Sequence, residues 1–571
     1  MSLYLLGAVA LTSRLWADPT SHAQPGDLRD IDQYTWFVRY SATAVAHGHL
    51  PAFVTTAMNP PHGVNLLWNT SILLPGAVLT PVTLLAGPQV SLTVLLTAGF
   101  AGSAASLFLV LRRWGASMSA AALGGAVYGF SPALLNSGIG HYDLQFAVLP
   151  PLIIDALLRI GTGRSRGART GIWLGLLTAA QFFTGEELLI DTAFAAVVLA
   201  VILAASRPRL VLQRARGAVA GLATGAGVAL LLCGYALWMQ FHDEALHSSG
   251  ATAEVIYHGH LTHIYTIPYA FYTPSGALLF HTTGSAAAAR YPQPQAEYLA
   301  YLGFPLLVVL LAAAIFFWRH LTVRVTVVAC AVLELFSLGG QPLLLHGIRY
   351  PAALLPWYWL QGLPGLSSAL PNRLCLLADG AAGAALAFSL DLTRSLASRH
   401  TSWRSAGTVA TVAAVAAILP LVPLPYRVTD VVKVPAGYQA TFTRLRLAPD
   451  ARVLIVPVPW GALTSPMRWQ ADTGEPGSMI GGDFIAPNEK GRQSRAGRAG
   501  QTVTTKYINA LWLGSATAQA PSRAQIQADL ALWKPAAVVA VTSRESQLGQ
   551  FLIRQFGRPT SQIGRVLGWR L

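Results

Sequence analysis

The chain is 571 residues long, 53% hydrophobic and only 11% charged, with a mean hydropathy of +0.48. An ordinary soluble domain carries roughly 25% charged residues, so most of this chain must live in lipid, and its apolar fraction excludes disorder. Cys 3, Gly 52 and Pro 35 exclude a disulfide scaffold and a coiled coil, and the net charge of +15 sits largely in short arginine clusters between apolar runs, which marks membrane topology and gives no reason to expect a nucleic-acid partner.

Runs near the ~20 apolar residues that span a bilayer predict an α-helical polytopic membrane protein with about 11 transmembrane helices. They fall near 3–15, 89–111, 118–132, 143–160, 170–185, 186–205, 217–239, 297–318, 321–338, 372–392 and 405–424. Arginines cluster at 112–113, 164–169, 207–216, 319–324 and 394–404. With one crossing per span these clusters share one face, which the positive-inside rule makes cytoplasmic. The apolar stretch Ser71 to Gly87 would reverse every later cluster if it crossed. It is therefore read as a juxtamembrane or re-entrant segment broken by Pro75 and Pro81. The first run is short, a truncated helix or the remnant of a signal peptide, and in either case residue 24 emerges outside.

Residues 1–425 thus form the transmembrane part, with extracytoplasmic stretches 16–88, 240–296 and 339–371. After 425 the composition changes. Strand-like runs Arg452 to Pro459 and Ala536 to Thr542 flank a helical stretch from Ser522 to Trp533, which predicts a small extracytoplasmic α/β domain over 430–571. Cys233, Cys330 and Cys375 fall in or at the ends of spans, so no disulfide is expected.

The first outside loop holds Asp27, Asp30 and Asp32 directly after a span and before an amphipathic stretch. A carboxylate at that depth loses solvation and moves toward the range of a useful general base. Helix capping by Asp27 or Asp30, with Asp32 in the first turn, accounts for the spacing equally well. Further along, His62, Asn65 and Trp68 offer hydrogen bonds and a stacking face that suit a sugar, although Trp68 also fits an interfacial anchor. Two more outer turns carry His141 and Asp143, and Glu186 and Glu187. The two glutamates point about 100° apart on a helix, so at most one faces a shared cavity, and Glu186 can instead cap its span and pair with a cation. Arg349 and Arg373, at outer span boundaries, can grip a phosphate or snorkel to headgroups. His258, His260 and His263 have a spacing that could bind metal but no fourth ligand, and a metal-free polar loop is the favoured reading.

Taken in order, Gly26-Asp27 through Asp30, Asp32 and Trp36, then Asn59-Pro-Pro-His62, Leu111-Arg-Arg-Trp-Gly115 and Leu370-Pro-Asn-Arg373 resemble the GT-C superfamily of integral-membrane glycosyltransferases. The resemblance implies a sugar donor carried on polyprenyl phosphate, contact with membrane lipids, and a cell-envelope acceptor. One loop aspartate would act as base, Asp27 and Asp30 ranking ahead of Asp32, with inversion at the anomeric carbon and the leaving phosphate held by arginine. No cofactor is required, a divalent metal being the one addition left open. The protein is expected in the plasma membrane as a multi-pass chain. A flippase of lipid-linked glycans, using Asp155, Glu334 and Asp379, and a non-catalytic envelope scaffold are the alternatives.

Overall fold

The computed structural model describes all residues except 27, 165–166, 243–295, 297–298, 341–342, 346–347, 364–365, 367–368, 400–403, 475–476, 488–493, 496–500 and 516–517. His258, His260 and His263, and Asp27, therefore lie outside the described residues. The chain opens with α1 (Ser2–Ala17), a two-residue strand β1 (His22–Ala23) and the amphipathic α2 (Leu28–Ala46). A short hairpin, β2 (Val54–Thr55) and β3 (Val64–Asn65), leads into α3 (Leu73–Val78) and α4 (Thr80–Ala86). These last two have Pro75 and Pro81 in their first turns. At 1.5 Å per residue neither approaches the ~30 Å of a hydrocarbon core, so the segment 71–87 does not cross as one helix.

Then follow α5 (Pro88–Arg113), α6 (Met118–Gly129), α7 (Pro132–Ser137), α8 (Tyr142–Gln145), α9 (Leu149–Gly161), α10 (Gly167–Phe182), α11 (Glu186–Ser206) and α12 (Pro208–His242). Beyond the undescribed stretch come α13 (Phe304–Phe317), α14 (Leu321–Ser337), the hairpin β4 (Leu343–Leu345) and β5 (Ile348–Tyr350), α15 (Cys375–Arg399) and α16 (Arg404–Ile418). Among the described residues, five segments are long and apolar enough to cross a membrane: Pro88–Arg113, Met118–Ser137, Glu186–Ser206, Val211–His242 and Pro371–Ser398. The expected span near 143–160 is instead α8 and α9, separated at Phe146 to Val148.

Without a hydrophobic force between helices in lipid, close approach depends on small side chains. At the α6–α15 crossing Gly124 and Gly383 face each other so closely that a Cβ on Gly383 would sit 2.4 Å from the Gly124 carbonyl oxygen. Gly383→Ala is accordingly expected to lower stability by about 1–3 kcal/mol, the usual range for overpacking. Thermal unfolding in detergent checks this, and an unchanged midpoint would mean the crossing has slack. At the C-terminal end of α5, Asp155 of α9 is buried and neutralised by Arg113, and it accepts the Trp114 indole N–H at 2.9 Å. That bond set explains the Arg-Arg-Trp turn and leaves Asp155 engaged in helix packing.

Residues after 425 begin with β6 (Thr429–Asp430), paired with β1, and build a five-stranded mixed sheet. The helices are α17 (Tyr438–Leu445), α18 (Ser465–Thr473), α19 (Val503–Trp512), α20 (Arg523–Trp533) and α21 (Gln547–Phe556). Of the strands, β7 (Arg452–Val456) runs parallel to β8 (Ser478–Met479) and to β11 (Ala537–Val541). Two-residue strands β9 (Ala486–Pro487) and β10 (Ser494–Arg495) pair separately, while β13 (Val566–Arg570) lies antiparallel to β11 and to β12 (Ser561–Ile563). The sheet order is β12-β13-β11-β7-β8.

Strand alternation sends successive side chains to opposite faces, and here the two faces have different fates. Leu454, Val456, Val538, Ala540 and Leu567 pack with Ile508, Ile526, Leu548 and Leu552 in a core of their own. Val453, Ile455, Ala537, Val539 and Val566 instead join the large core that contains Ile31, Phe37, Leu92 and Phe100 of the helical part. One sheet face is thus continuous with the helices.

Candidate functional site

Helix α2 is the hinge of the site because its two sides meet different partners. On one side Asp32 is buried and accepts Arg468 Nε at 2.5 Å and Thr464 Oγ1 at 2.8 Å, both partners coming from the α18 region. The Arg468 guanidinium also donates to Gln89 Oε1 and Thr35 Oγ1, each at 3.1 Å. Trp36 Nε1 donates to Gln470 Oε1 at 3.1 Å, and its ring meets Phe484 edge-on. Two residues back, and about 200° round the helix, Asp30 occupies the first turn with its side chain 32% exposed and Oδ2 3.7 Å from His141 Nε2. A carboxylate there is favoured by the positive end of the helix dipole.

Beside that pair, the Tyr34 hydroxyl donates to Asp143 Oδ1 at 2.5 Å, and Thr70 Oγ1 lies 3.5 Å from the same hydroxyl. Burial, with the Asp143 charge adding to it, pushes the Tyr34 phenol well above its ordinary range, so it stays a donor at every physiological pH. Asp143 in turn abuts the start of α11: a Cβ on Gly185 would lie 3.0 Å from the Asp143 Cβ. The structure therefore brings together Asp30, Tyr34, His141 and Asp143, with Glu186 and Glu187 following at the next helix start.

The two glutamates divide as their 100° separation requires. Glu186 accepts Gln240 Nε2 at 2.5 Å, and the Gln240 backbone carbonyl takes the Trp68 indole N–H at 2.7 Å. The cation partner that a capping role would give to Glu186 belongs to its neighbour. Glu187 pairs with Arg373 and accepts the Leu370 backbone N–H at 2.9 Å. Arg373 is buried in that pair, so it fastens the start of α15 to α11. Arg349 lies on β5 in register with Leu344, its side chain outside the described residues.

The loop residues expected to meet sugar are mostly structural. Asn65 accepts the Leu67 N–H at 3.0 Å and donates to the Met239 carbonyl at 3.3 Å. Trp68 is held by Gln240 and packs edge-on against Phe241. His62 sits in the β2–β3 turn with Nε2 buried and no hydrogen-bond partner among the described residues. Residues that sequence reading passed over are Arg468, Thr464 and Asn69. Asn69 exchanges hydrogen bonds with Ile485, donating at 3.0 Å and accepting at 2.7 Å. Nothing local marks any of the three, since each acts across more than 400 positions.

Among the described residues no group of three or more His, Cys, Asp or Glu side chains stands close enough to hold a metal ion. A cavity of about 320 Å³ lies between Gln89, Lys433 and Asp472, and its lining includes neither Asp30 nor His141.

No protein-family model and no curated protein matches the chain. Solved structures do. The arabinofuranosyltransferase AftD from Mycobacteria aligns over 100% of this chain and 39% of its own length, at 16% identity and a TM-score of 0.54. The R1389S mutant of the same enzyme (class 2) aligns over 97% of this chain and 38% of its own, at 15% identity and a TM-score of 0.50. The oligosaccharyltransferase AglB from Archaeoglobus fulgidus aligns over 95% of this chain and 69% of its own, at 11% identity and a TM-score of 0.47. This chain spans about two fifths of the AftD chain. With its helices and its α/β unit all inside the AftD alignment, the chain shares the fold of that part of AftD.

Proposed function

We propose that the protein is an inverting membrane glycosyltransferase that moves a sugar from a polyprenyl-phosphate donor to a cell-envelope acceptor on the extracytoplasmic side of the plasma membrane. The observation that carries this reading is the placement of Asp30. It is partly open, at the positive end of a 19-residue helix, against His141 and the Tyr34–Asp143 pair. Asp30 takes the proton of the acceptor hydroxyl as that oxygen attacks the anomeric carbon, and polyprenyl phosphate leaves with the electrons of the broken bond. His141 and Tyr34–Asp143 keep the carboxylate side of the cluster oriented.

The leaving phosphate needs a cation, and Glu187 already occupies Arg373. The role therefore goes to Arg349, on the hairpin just before a short aromatic turn. In that turn, Pro356–Trp359, Trp357 is buried against Phe194, while Trp359 and, just before the turn, Leu354 are each 69% exposed. Exposed aromatic and aliphatic side chains beside span ends suit contact with a prenyl tail and headgroups. The fold likeness to an enzyme named as an arabinofuranosyltransferase supports a pentofuranosyl donor as the first to try. The flippase reading is disfavoured, because Asp155, one of its three deep acids, is spent on Arg113 and Trp114.

The test is transfer by the purified chain in nanodiscs. Polyprenyl-phospho-arabinofuranose and polyprenyl-phospho-mannose would be offered separately with glycan acceptors, and released polyprenyl phosphate and product followed by mass spectrometry. On intact cells, a cysteine at the exposed Thr20 is expected to react with an impermeant maleimide. Donor translocation in proteoliposomes without transfer, or labelling of Thr20→Cys only after permeabilisation, would overturn the reading.

A further inference from the structure

The Arg468 guanidinium is the most deeply buried charged group of the α/β unit among the described residues, 1% exposed, and all three of its hydrogen bonds reach outside its own unit. It spans Asp32 and Thr35 on α2 and Gln89 at the start of α5, while Thr464, one turn earlier on its own segment, closes the second oxygen of Asp32. Burying an ion pair commonly breaks even or worse against apolar packing, so stability alone gives weak reason for one here. What such a fork does well is fix geometry, because it offers several donors in a rigid plane.

That geometry bears on one degree of freedom. Helix α2 has Asp32, Thr35 and Trp36 against α18 and its surroundings, and Asp30 and Tyr34 against His141, Asp143 and Thr70. Asp30 and Asp32 point about 200° apart. Any rotation of α2 about its axis therefore turns Asp30 away from the site as it pulls Asp32 off Arg468. A second contact opposes the same rotation: Gly474, at the end of α18, lies so close to Arg39 that a Cβ there would sit 2.2 Å from Nη2.

We propose that Arg468 is a positioning residue: through Asp32 it sets the rotation of α2, and so the direction of Asp30, making the α/β unit an integral part of the active site. This rests on the reading of Asp30 as the base. Arg468→Lys keeps the charge and loses the fork, and Asp32→Asn with Arg468→Gln replaces the ion pair by two amides that can still bond. In nanodiscs, counted per folded molecule, each variant is expected to lower kcat by roughly 10–100-fold, as small misplacements of a reacting group do, with KM for the lipid donor changed less than about threefold. Hydrogen exchange gives a readout independent of activity: amides of 28–36 should exchange faster in both variants while those of α5 beyond its first turns do not. If kcat per folded molecule stays within twofold of the native value, or exchange in 28–36 is unchanged, the proposal fails. If the native chain transfers no sugar, the enzymatic reading fails instead, and the exchange experiment still decides whether Arg468 holds α2.

Discussion

Asp30→Asn is expected to abolish transfer while leaving the protein folded. The substitution removes the proton acceptor and keeps the shape, so kcat should drop by about 10²–10⁴-fold, the span attributed to general-base catalysis. Folding should survive because the Asp30 side chain is 32% exposed and its contact with His141, at 3.7 Å, is a loose one, and such contacts contribute about 1 kcal/mol or less. The comparison that matters is with Asp32→Asn. Sequence spacing makes the two aspartates near equivalents, yet Asp32 is locked to Arg468 and Thr464 and has no free edge for an acceptor. Turnover measured alongside thermal unfolding separates them: Asp30→Asn should lose rate and keep its midpoint. A full rate in Asp30→Asn would move the base elsewhere in the loop, Asp27 being the next to replace.

The second large effect is on stability. Arg468→Ala removes a buried guanidinium and strands the Asp32 carboxylate, with Thr464 as its remaining donor. Breaking a buried pair from one side costs about 3–5 kcal/mol. Because the same residue joins α18 to α2 and the start of α5, the loss should appear first as opening of that junction, read as faster limited proteolysis between 430 and 480 than within α5. Asp32→Leu with Arg468→Met replaces both charges by apolar groups of similar reach and should recover much of the lost stability, although Gln89 and Thr35 each lose a donor. Recovery of stability without recovery of rate is the joint outcome expected if the pair serves position more than cohesion. A fully stable Arg468→Ala protein would show that the junction is held by its apolar core alone.

Much of the helical layout was legible because bilayer thickness and arginine placement act on contiguous sequence. The break at Pro75 and Pro81, the strand runs around 452 and 537 and the helix ending at Trp533 all follow from local pattern. The site was legible only in part. Asp30, His141 and Asp143 stood out as acids and a histidine beside spans, and they do converge. Which of them stays open could not be read, because the partner that closes Asp32 lies 436 residues away. The same limit hid the partner of Arg373, Glu187, which is 186 residues distant, and the backbone carbonyls of α12 to which Asn65 and Trp68 donate.

What the chain determined by its sequence was which segments are apolar enough for lipid and which loop gathers its acids, since hydropathy and charge are sums over neighbours along the backbone. What only the tertiary structure decided was the direction in which each acid points. A helix carries side chains all the way round, and which face of α2 is sealed by a guanidinium and which stays open to an acceptor depends on elements packed against it from the far end of the chain.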